Sequence, residues 1–165
     1  IESKNKGIKL FTSTFRRGAP DYLDPKLNCH SKLHEVQALI QAIEAGADEA
    51  LMLDVNGFVS TCNATNFFIV KNNEVWTSTG DYCMNGITRS KVIEACSKNN
   101  MICHQKNFSL YDTYSAQESF VTGTFGGLTP VTHIDGKQIG DGKLGQITSN
   151  LSGFYEMLIS ENIDE

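Results

Sequence analysis

The sequence predicts an α+β fold in which a mixed, mostly antiparallel sheet carries packed helices. Two hairpin signals support this prediction: the Asn56-Gly57 turn, and the polar turn from Lys71 to Glu74 between two apolar runs. Both hairpins lie among segments that have the apolar spacing of helices. Hairpins join antiparallel strands, so hairpins interleaved with helices favour a mixed sheet over a doubly wound one.

The first half of the chain predicts a strand, a loop, a helix and the two hairpins. Apolar and polar residues alternate over Gly7 to Thr14, which predicts a half-buried strand. Between Ser31 and Ala45 the apolar residues recur at spacings of three and four, which predicts one apolar helix face that ends at Gly46. The residues of that face are Leu33, Val36, Leu39, Ile40 and Ile43. The hairpin strands are predicted at Glu49 to Asp54, Gly57 to Thr61, Phe67 to Val70 and Val75 to Thr77.

The second half predicts three helices and three strands. One helix should open at Ile87-Thr88 and reach Lys98, a short one should be capped by Ser109, and a last one should run from Gly145 to Ser160. The strands are predicted at Met101 to His104, Glu118 to Thr122 and Leu128 to Ile134.

Composition excludes several classes of function. The 165 residues fit one domain, and a formal charge of −5 without a basic stripe argues against a nucleic-acid partner. No apolar run approaches the roughly 18 residues that suggest a membrane span. The five cysteines include no C-x-x-C pair, which argues against zinc and predicts reduced thiols in a cytoplasmic protein. His30 and His34 lie four apart but lack a third ligand, so no metal site is predicted.

Two segments are suited to holding an anion. In Asn85-Gly86-Ile87-Thr88-Arg89 a glycine turn leads directly into a helix, whose first N–H groups could face a phosphate. The segment from Val121 to Gly127 ends a strand in a loop with three glycines, which lets backbone N–H groups approach a ligand. Taken singly, each segment is more often an ordinary helix cap or chain turn than an anion site.

Five blocks follow one another along the chain: AGADEALMLDVNGFV (Ala45 to Val59), NFFIV (Asn66 to Val70), GITR (Gly86 to Arg89), VTGTFGGLTPV (Val121 to Val131) and IDGKQIG (Ile134 to Gly140). In this order they resemble the class IV, pyridoxal-phosphate-dependent aminotransferases, a family that includes branched-chain and D-amino acid aminotransferases and aminodeoxychorismate lyase. The resemblance implies that residues 31–165 form the larger, C-terminal domain of such a protein and that residues 1–30 are an interdomain strand and loop. It implies that the smaller N-terminal domain lies outside this chain, which does not begin with methionine.

The resemblance also implies a cofactor, a substrate class and site residues. Pyridoxal 5'-phosphate would be held by backbone contacts from Ile87 and Thr88 and by the hydroxyl of Thr124. The N–H groups of Thr124 and Phe125 would hold the carboxylate of an amino acid or keto acid. Members of the family commonly form dimers, so a homodimer is implied.

The chemical centre departs from the family at two positions. The Schiff-base lysine of the family falls at Asn28, whose amide cannot form an imine. Lys26 could replace it if the loop shifts by two residues, whereas Lys32, at the helix start, is expected to point elsewhere. The family's glutamate at the pyridine nitrogen falls at Thr61, whose hydroxyl can hydrogen-bond the nitrogen but carries no charge.

Two functions therefore stay open. The first is an aminotransferase-like enzyme that performs transamination or lyase chemistry on an amino acid, with Lys26 as the catalytic amine. The second is a catalytically inactive relative that keeps the fold and an anion or cofactor pocket as a binding or assembly module.

Overall fold

The structure, a computed structural model, describes residues 6–124 and 126–163, and side chains as far as residue 160. Its strands are β1 (Ile8–Thr12), β2 (Glu49–Leu53), β3 (Val59–Cys62), β4 (Asn66–Lys71), β5 (Glu74–Thr77), β6 (Cys103–Gln105), β7 (Glu118–Gly123), β8 (Gly127–Ile134) and β9 (Lys137–Gln138). Its helices include α1 (Leu33–Glu44), α2 (Ile87–Lys98), α3 (Leu110–Tyr114) and α4 (Gln146–Ile163).

The strands form one sheet in the order β3-β2-β1-β8-β7-β4-β5-β6, with β9 paired to β8. The pairs β1–β2, β1–β8 and β5–β6 are parallel, and the other strand pairs of the described residues are antiparallel. The predicted fold class, a mixed and mostly antiparallel sheet with packed helices, is confirmed.

Side-chain alternation divides the central strands between two cores. On one face, Phe68 of β4 and Phe120 of β7 stack at 4.9 Å between ring centroids and pack against α2 and α4. On the other face, Phe67 and Val121 join a core with residues of β1, β2 and β3. Successive side chains of a strand point to opposite faces, so residues 66, 68, 120 and 122 all point towards α2 and α4.

Helix α1 packs in a way that its apolar pattern does not predict. It buries the small residues Ala38 and Ala42 against Ala50 and Met52 of β2. The larger apolar residues of the predicted face are exposed by about half or more: Leu33, Val36, Ile40 and Ile43. Alanine lets the helix backbone approach the sheet closely, so the stripe with the stronger hydrophobic signal faces outward.

Candidate functional site

The N-terminus of α2 presents free backbone donors. Gly86 is the N-cap residue, with φ −62° and ψ 150°, and no side chain within residues 6–124 and 126–160 caps the helix. The N–H of Ser90 bonds the carbonyl of Gly86 at 3.0 Å, so Ile87 and Thr88 precede the first intrahelical bond. The Ile87 side chain is exposed, whereas Thr88 is buried. This end of the helix can receive an anion through main-chain hydrogens.

The end of β7 contributes a second set of polar groups. Thr122, the penultimate residue of the strand, is buried, and its hydroxyl oxygen has no hydrogen-bond partner among the described residues. Gly123 follows it and Thr124 is exposed in the turn. Phe125, predicted to contact the substrate, lies outside the described residues. A buried hydroxyl without a partner is costly, which marks the position as one where a ligand could bind.

Asn66 connects these two turns. It is the first residue of β4 and the register partner of Thr122 on β7. Its amide oxygen would lie 2.7 Å from a Cβ on Gly86, and its amide nitrogen donates to the carbonyl of Met84 at 2.9 Å. The start of α2 and the end of β7 therefore lie at the same end of the β4–β7 strand pair.

Thr61 lies beside Asn66 at the end of β3. It is buried, its hydroxyl donates to the carbonyl of Thr65 at 2.8 Å, and the Asn66 amide nitrogen lies 3.4 Å from that hydroxyl. Together they line a small cavity of about 70 Å³, whose other lining residues include Arg17, Leu27, Lys32, Glu35 and Met84. Ile87, Thr88 and Thr124 do not line it.

The predicted amine positions are only partly associated with this cavity. Lys26 is exposed, its ammonium lies 3.7 Å from an Asp24 carboxylate oxygen, and it does not line the cavity. Asn28 is also exposed and outside the lining. Lys32, expected to point elsewhere, is among the residues that line the cavity with Thr61. It is the N-cap residue of α1, and its Nζ lies 3.3 Å from Glu35 Oε2.

An ion pair that the sequence analysis missed lines the cavity beside Thr61. Arg17 is buried and donates to a carboxylate oxygen of Glu35, while its Nε donates to the carbonyl of Tyr82 at 3.2 Å. Both residues also border a neighbouring cavity of about 360 Å³ between the 16–29 loop and the start of α1. The partners are far apart in sequence, and no local pattern marked them.

Two further buried polar residues hold the site in shape. The guanidinium of Arg89 donates to the carbonyl of Ser78 and to the side chains of Asn85 and Gln105. The arginine of the GITR block thus anchors α2, while its Nε has no hydrogen-bond partner among the described residues. Glu49 accepts hydrogen bonds from the Ala64 N–H and the Thr65 hydroxyl, and burial raises the pKa of this carboxyl.

Within the described residues, no group of three or more histidine, cysteine, aspartate or glutamate side chains could hold a metal ion. In the same part of the chain, no helix has the length and apolar character needed to cross a membrane.

Comparison with known proteins identifies relatives over nearly the whole chain. The branched-chain-amino-acid aminotransferase-like protein 2 of Arabidopsis thaliana is 45% identical over 158 residues, which are 96% of this chain and 28% of that protein. The branched-chain-amino-acid aminotransferase of Pseudomonas aeruginosa is 34% identical over 160 residues, 96% of this chain and 52% of that enzyme. The chain thus spans about half or less of the length of these relatives.

Solved structures agree in fold. The T.th. branched-chain amino acid aminotransferase, solved with pyridoxamine 5'-phosphate, superimposes with a TM-score of 0.89 at 31% identity, covering 94% of this chain and 51% of that one. The enzyme from Escherichia coli gives a TM-score of 0.90 at 28% identity and covers 94% and 53%. The family model described as amino-transferase class IV matches residues 1–134. By this match and by its fold, the chain belongs to the class IV aminotransferase family.

Proposed function

We propose that the protein is a pyridoxal-phosphate-dependent, aminotransferase-like protein that acts on an amino acid by transamination or lyase chemistry. The observation that carries the proposal is the position of Asn66, which contacts Gly86 at the start of α2 and pairs with Thr122 at the end of β7. Two turns rich in main-chain donors are thereby placed at one end of the sheet. A phosphate monoester is an anion that such donors can hold.

The residues present fit the phosphate of the cofactor. The N–H groups of Ile87 and Thr88 precede the first intrahelical bond, and the exposed hydroxyl of Thr124 would add a donor. The hydroxyl of Thr122, which has no partner among the residues that the structure describes, supports a ligand at this end of the strand. The N–H groups of Thr124 and Phe125 would bind the carboxylate of an amino acid or keto acid.

At the other end of the ligand, Thr61 would contact the pyridine nitrogen. When bound, pyridoxal phosphate supplies an electron sink for chemistry at the α-carbon of an amino acid. The Thr61 hydroxyl already donates to the Thr65 carbonyl. It could therefore accept a hydrogen bond from a protonated pyridine nitrogen, or donate to an unprotonated one only after giving up its bond to Thr65. A neutral hydroxyl does not hold a proton on the nitrogen as a carboxylate does, so this chain would support weaker carbanion chemistry than relatives with a glutamate there.

The described part of the chain forms one wall of the site. The cavity beside Thr61 holds about 70 Å³, whereas pockets for small molecules usually hold roughly 300–1,000 Å³. We propose that residues 31–165 are the larger domain, that 1–30 lead into it, and that a smaller N-terminal domain completes the cleft. The five free thiols support a cytoplasmic location for this protein. A homodimer is proposed from the family resemblance alone.

A second function, an inactive relative that binds the ligand without turnover, is favoured by one specific observation. Asn28, the residue at which the family resemblance places the lysine, is exposed and does not line the cavity beside Thr61. Neither Asn28 nor Thr61 supplies the charged or nucleophilic group that the family uses.

Titration of the full-length protein with pyridoxamine 5'-phosphate, followed by calorimetry, tests the proposal. Pyridoxamine without the phosphate is the matched ligand, because it lacks only the anion. Saturable binding of the phosphate form, with binding of the other form at least about tenfold weaker, is expected. Absence of a difference between the two ligands would contradict both functions. Amino-group transfer from an amino acid to a keto acid then separates them, since the inactive relative binds without turnover.

A further inference from the structure

Helix α1 carries an apolar stripe that the described part of the chain leaves exposed to solvent. The stripe consists of four large aliphatic side chains with exposed fractions from 49% to 71%: Leu33, Val36, Ile40 and Ile43. At about 100° per residue, these positions lie on the side of the helix opposite Ala38 and Ala42, which pack on β2. Contiguous apolar surface of this kind marks an interaction site more often than it marks ordinary solvent-facing surface.

The spacing of the apolar stripe is symmetric. Its four members follow one another at intervals of three, four and three residues, so the order is the same in both directions along the helix. A two-fold axis through the centre of the stripe would therefore place Leu33 of one copy against Ile43 of a second copy. It would likewise place Val36 against Ile40. A two-fold interface requires one patch that is complementary to itself, and this spacing provides it.

The charges at the two ends of the apolar stripe favour an antiparallel pair of helices. Lys32 precedes the stripe, Glu44 follows it, and both are exposed. Antiparallel packing would bring Lys32 of each copy to the same end of the pair as Glu44 of the other, and it would also align the helix dipoles favourably. Parallel packing would bring like charges together at both ends. Lys32 also lies 3.3 Å from a Glu35 carboxylate oxygen, and its ammonium has three N–H donors to share between the two acids.

Apolar surface continues beyond the N-terminal end of the stripe. Leu33 borders the cavity of about 360 Å³ between the 16–29 loop and the start of α1. Tyr22 and Leu27 of that loop also line this cavity and are exposed by 87% and 63%. In the antiparallel arrangement, the turn that follows α1 of the second copy would lie over this end. The surface available to a second copy is therefore larger than the four side chains of the stripe.

We propose that the apolar stripe of α1 is the surface through which two copies of this chain associate, with the two α1 helices packed antiparallel about a two-fold axis. Val36 and Ile40 lie next to the axis and form the centre of the interface. Removal of these side chains from water drives the association. The inference goes beyond the proposed function, because it assigns a surface of contact and requires no ligand.

Sedimentation of the full-length protein over a range of concentrations, without ligand, tests the interface. Ile40→Glu places a carboxylate beside the axis in both copies and should raise the dissociation constant of the dimer at least about tenfold. Ile40→Ala, which keeps a strong helix former, should also weaken the dimer and is the second variant if Ile40→Glu does not fold. The control is Met157→Glu in α4, where the side chain is 54% exposed against 49% for Ile40. It should associate as the wild type does. A wild type that is monomeric up to about 0.1 mM, or a dimer that both Ile40 variants leave intact, would overturn the proposal.

Mixing two variants tests the antiparallel contact itself. Val36→Lys and Ile40→Glu each place a charge against an apolar side chain of the second copy, so each variant alone should be largely monomeric. A mixture of the two should form a heterodimer, because the lysine of one variant then faces the glutamate of the other. A mixture that associates no better than either variant alone would overturn the antiparallel pairing. Neither experiment contains pyridoxamine 5'-phosphate, so a failure of that ligand to bind would remove the proposed function and leave the interface in place.

Discussion

The amide oxygen of Asn66 lies so close to Gly86 that a β-carbon on residue 86 would come within 2.7 Å of it. This contact fixes the start of α2 against the first residue of β4, and through it against the end of β7. Gly86 has a φ of −62°, an ordinary value for any residue, so its requirement for glycine comes from this close approach alone.

Gly86→Ala is expected to displace the start of α2 from Asn66 and to weaken binding of pyridoxamine 5'-phosphate by about tenfold, or about 1.4 kcal/mol. The stability loss should be about 1–3 kcal/mol, the usual cost of overpacking. The control is Gly153→Ala in α4, where an added β-carbon meets nothing within 4 Å. That variant should gain about 0.5–1 kcal/mol and bind normally. Equal binding by both variants would show that the contact does not position the site.

Thr122→Val is expected to weaken ligand binding without lowering the stability of the protein. It removes a buried hydroxyl that has no partner in the described structure, so the free energy of unfolding should stay level or rise by about 1 kcal/mol. If the hydroxyl donates to a ligand, affinity for pyridoxamine 5'-phosphate should fall about tenfold. Calorimetry and chemical denaturation give the two values.

The same substitution at Thr113 is the control, because that hydroxyl donates to the carbonyl of Ser109 at 3.1 Å. Thr113→Val should lose about 1 kcal/mol of stability and keep its affinity. Unchanged affinity in Thr122→Val would remove Thr122 from the site.

Arg89→Lys should destabilise the protein by about 2–3 kcal/mol, because one ammonium cannot reach the three acceptors that the guanidinium bonds. Thermal unfolding measures the loss, with Arg16→Lys at an exposed position as the control. If Arg89→Lys were as stable as the wild type but unable to bind phosphate, Arg89 would be a ligand-binding residue and not an anchor.

Glu49 gives the chain a pH-dependent stability. Burial raises its pKa in the folded state above the ordinary value of 4.5. The stability it contributes is therefore fully present below about pH 4.5 and is lost as the pH rises through the raised pKa. Glu49→Gln removes this titration, so the melting temperature of the wild type should fall relative to that of the variant as the pH rises from about 4.5 through the raised pKa. The melting temperature of the control variant Glu44→Gln, at an exposed position, should depend on pH as that of the wild type does. The same pH dependence in Glu49→Gln would contradict the prediction.

Much of the fold could be predicted because local patterns agree with it. The hairpin at Asn56-Gly57 and the helix from Ile87 to Lys98 lie where turn chemistry and apolar spacing indicate. The orientation of α1 could not be predicted, since close packing of Ala38 and Ala42 outweighs the stronger hydrophobic stripe.

Some of the geometry of the candidate site follows from local signals. The helix N-terminus at Ile87 and Thr88 follows from a glycine turn before a helix. The Arg17–Glu35 pair and the presence of Lys32 in the lining of the cavity depend on contacts between residues far apart in sequence, which no short-range pattern encodes.

The most direct test is whether the start of α2 and the end of β7 bind the same phosphate. It follows the amide chemical shifts of the labelled protein during titration with pyridoxamine 5'-phosphate. The N–H resonances of Ile87, Thr88 and Thr124 should move together along one saturation curve, and pyridoxamine without phosphate should leave them in place. Shifts confined to other regions, or separate curves for Thr88 and Thr124, would mean that these main-chain hydrogens do not share an anion.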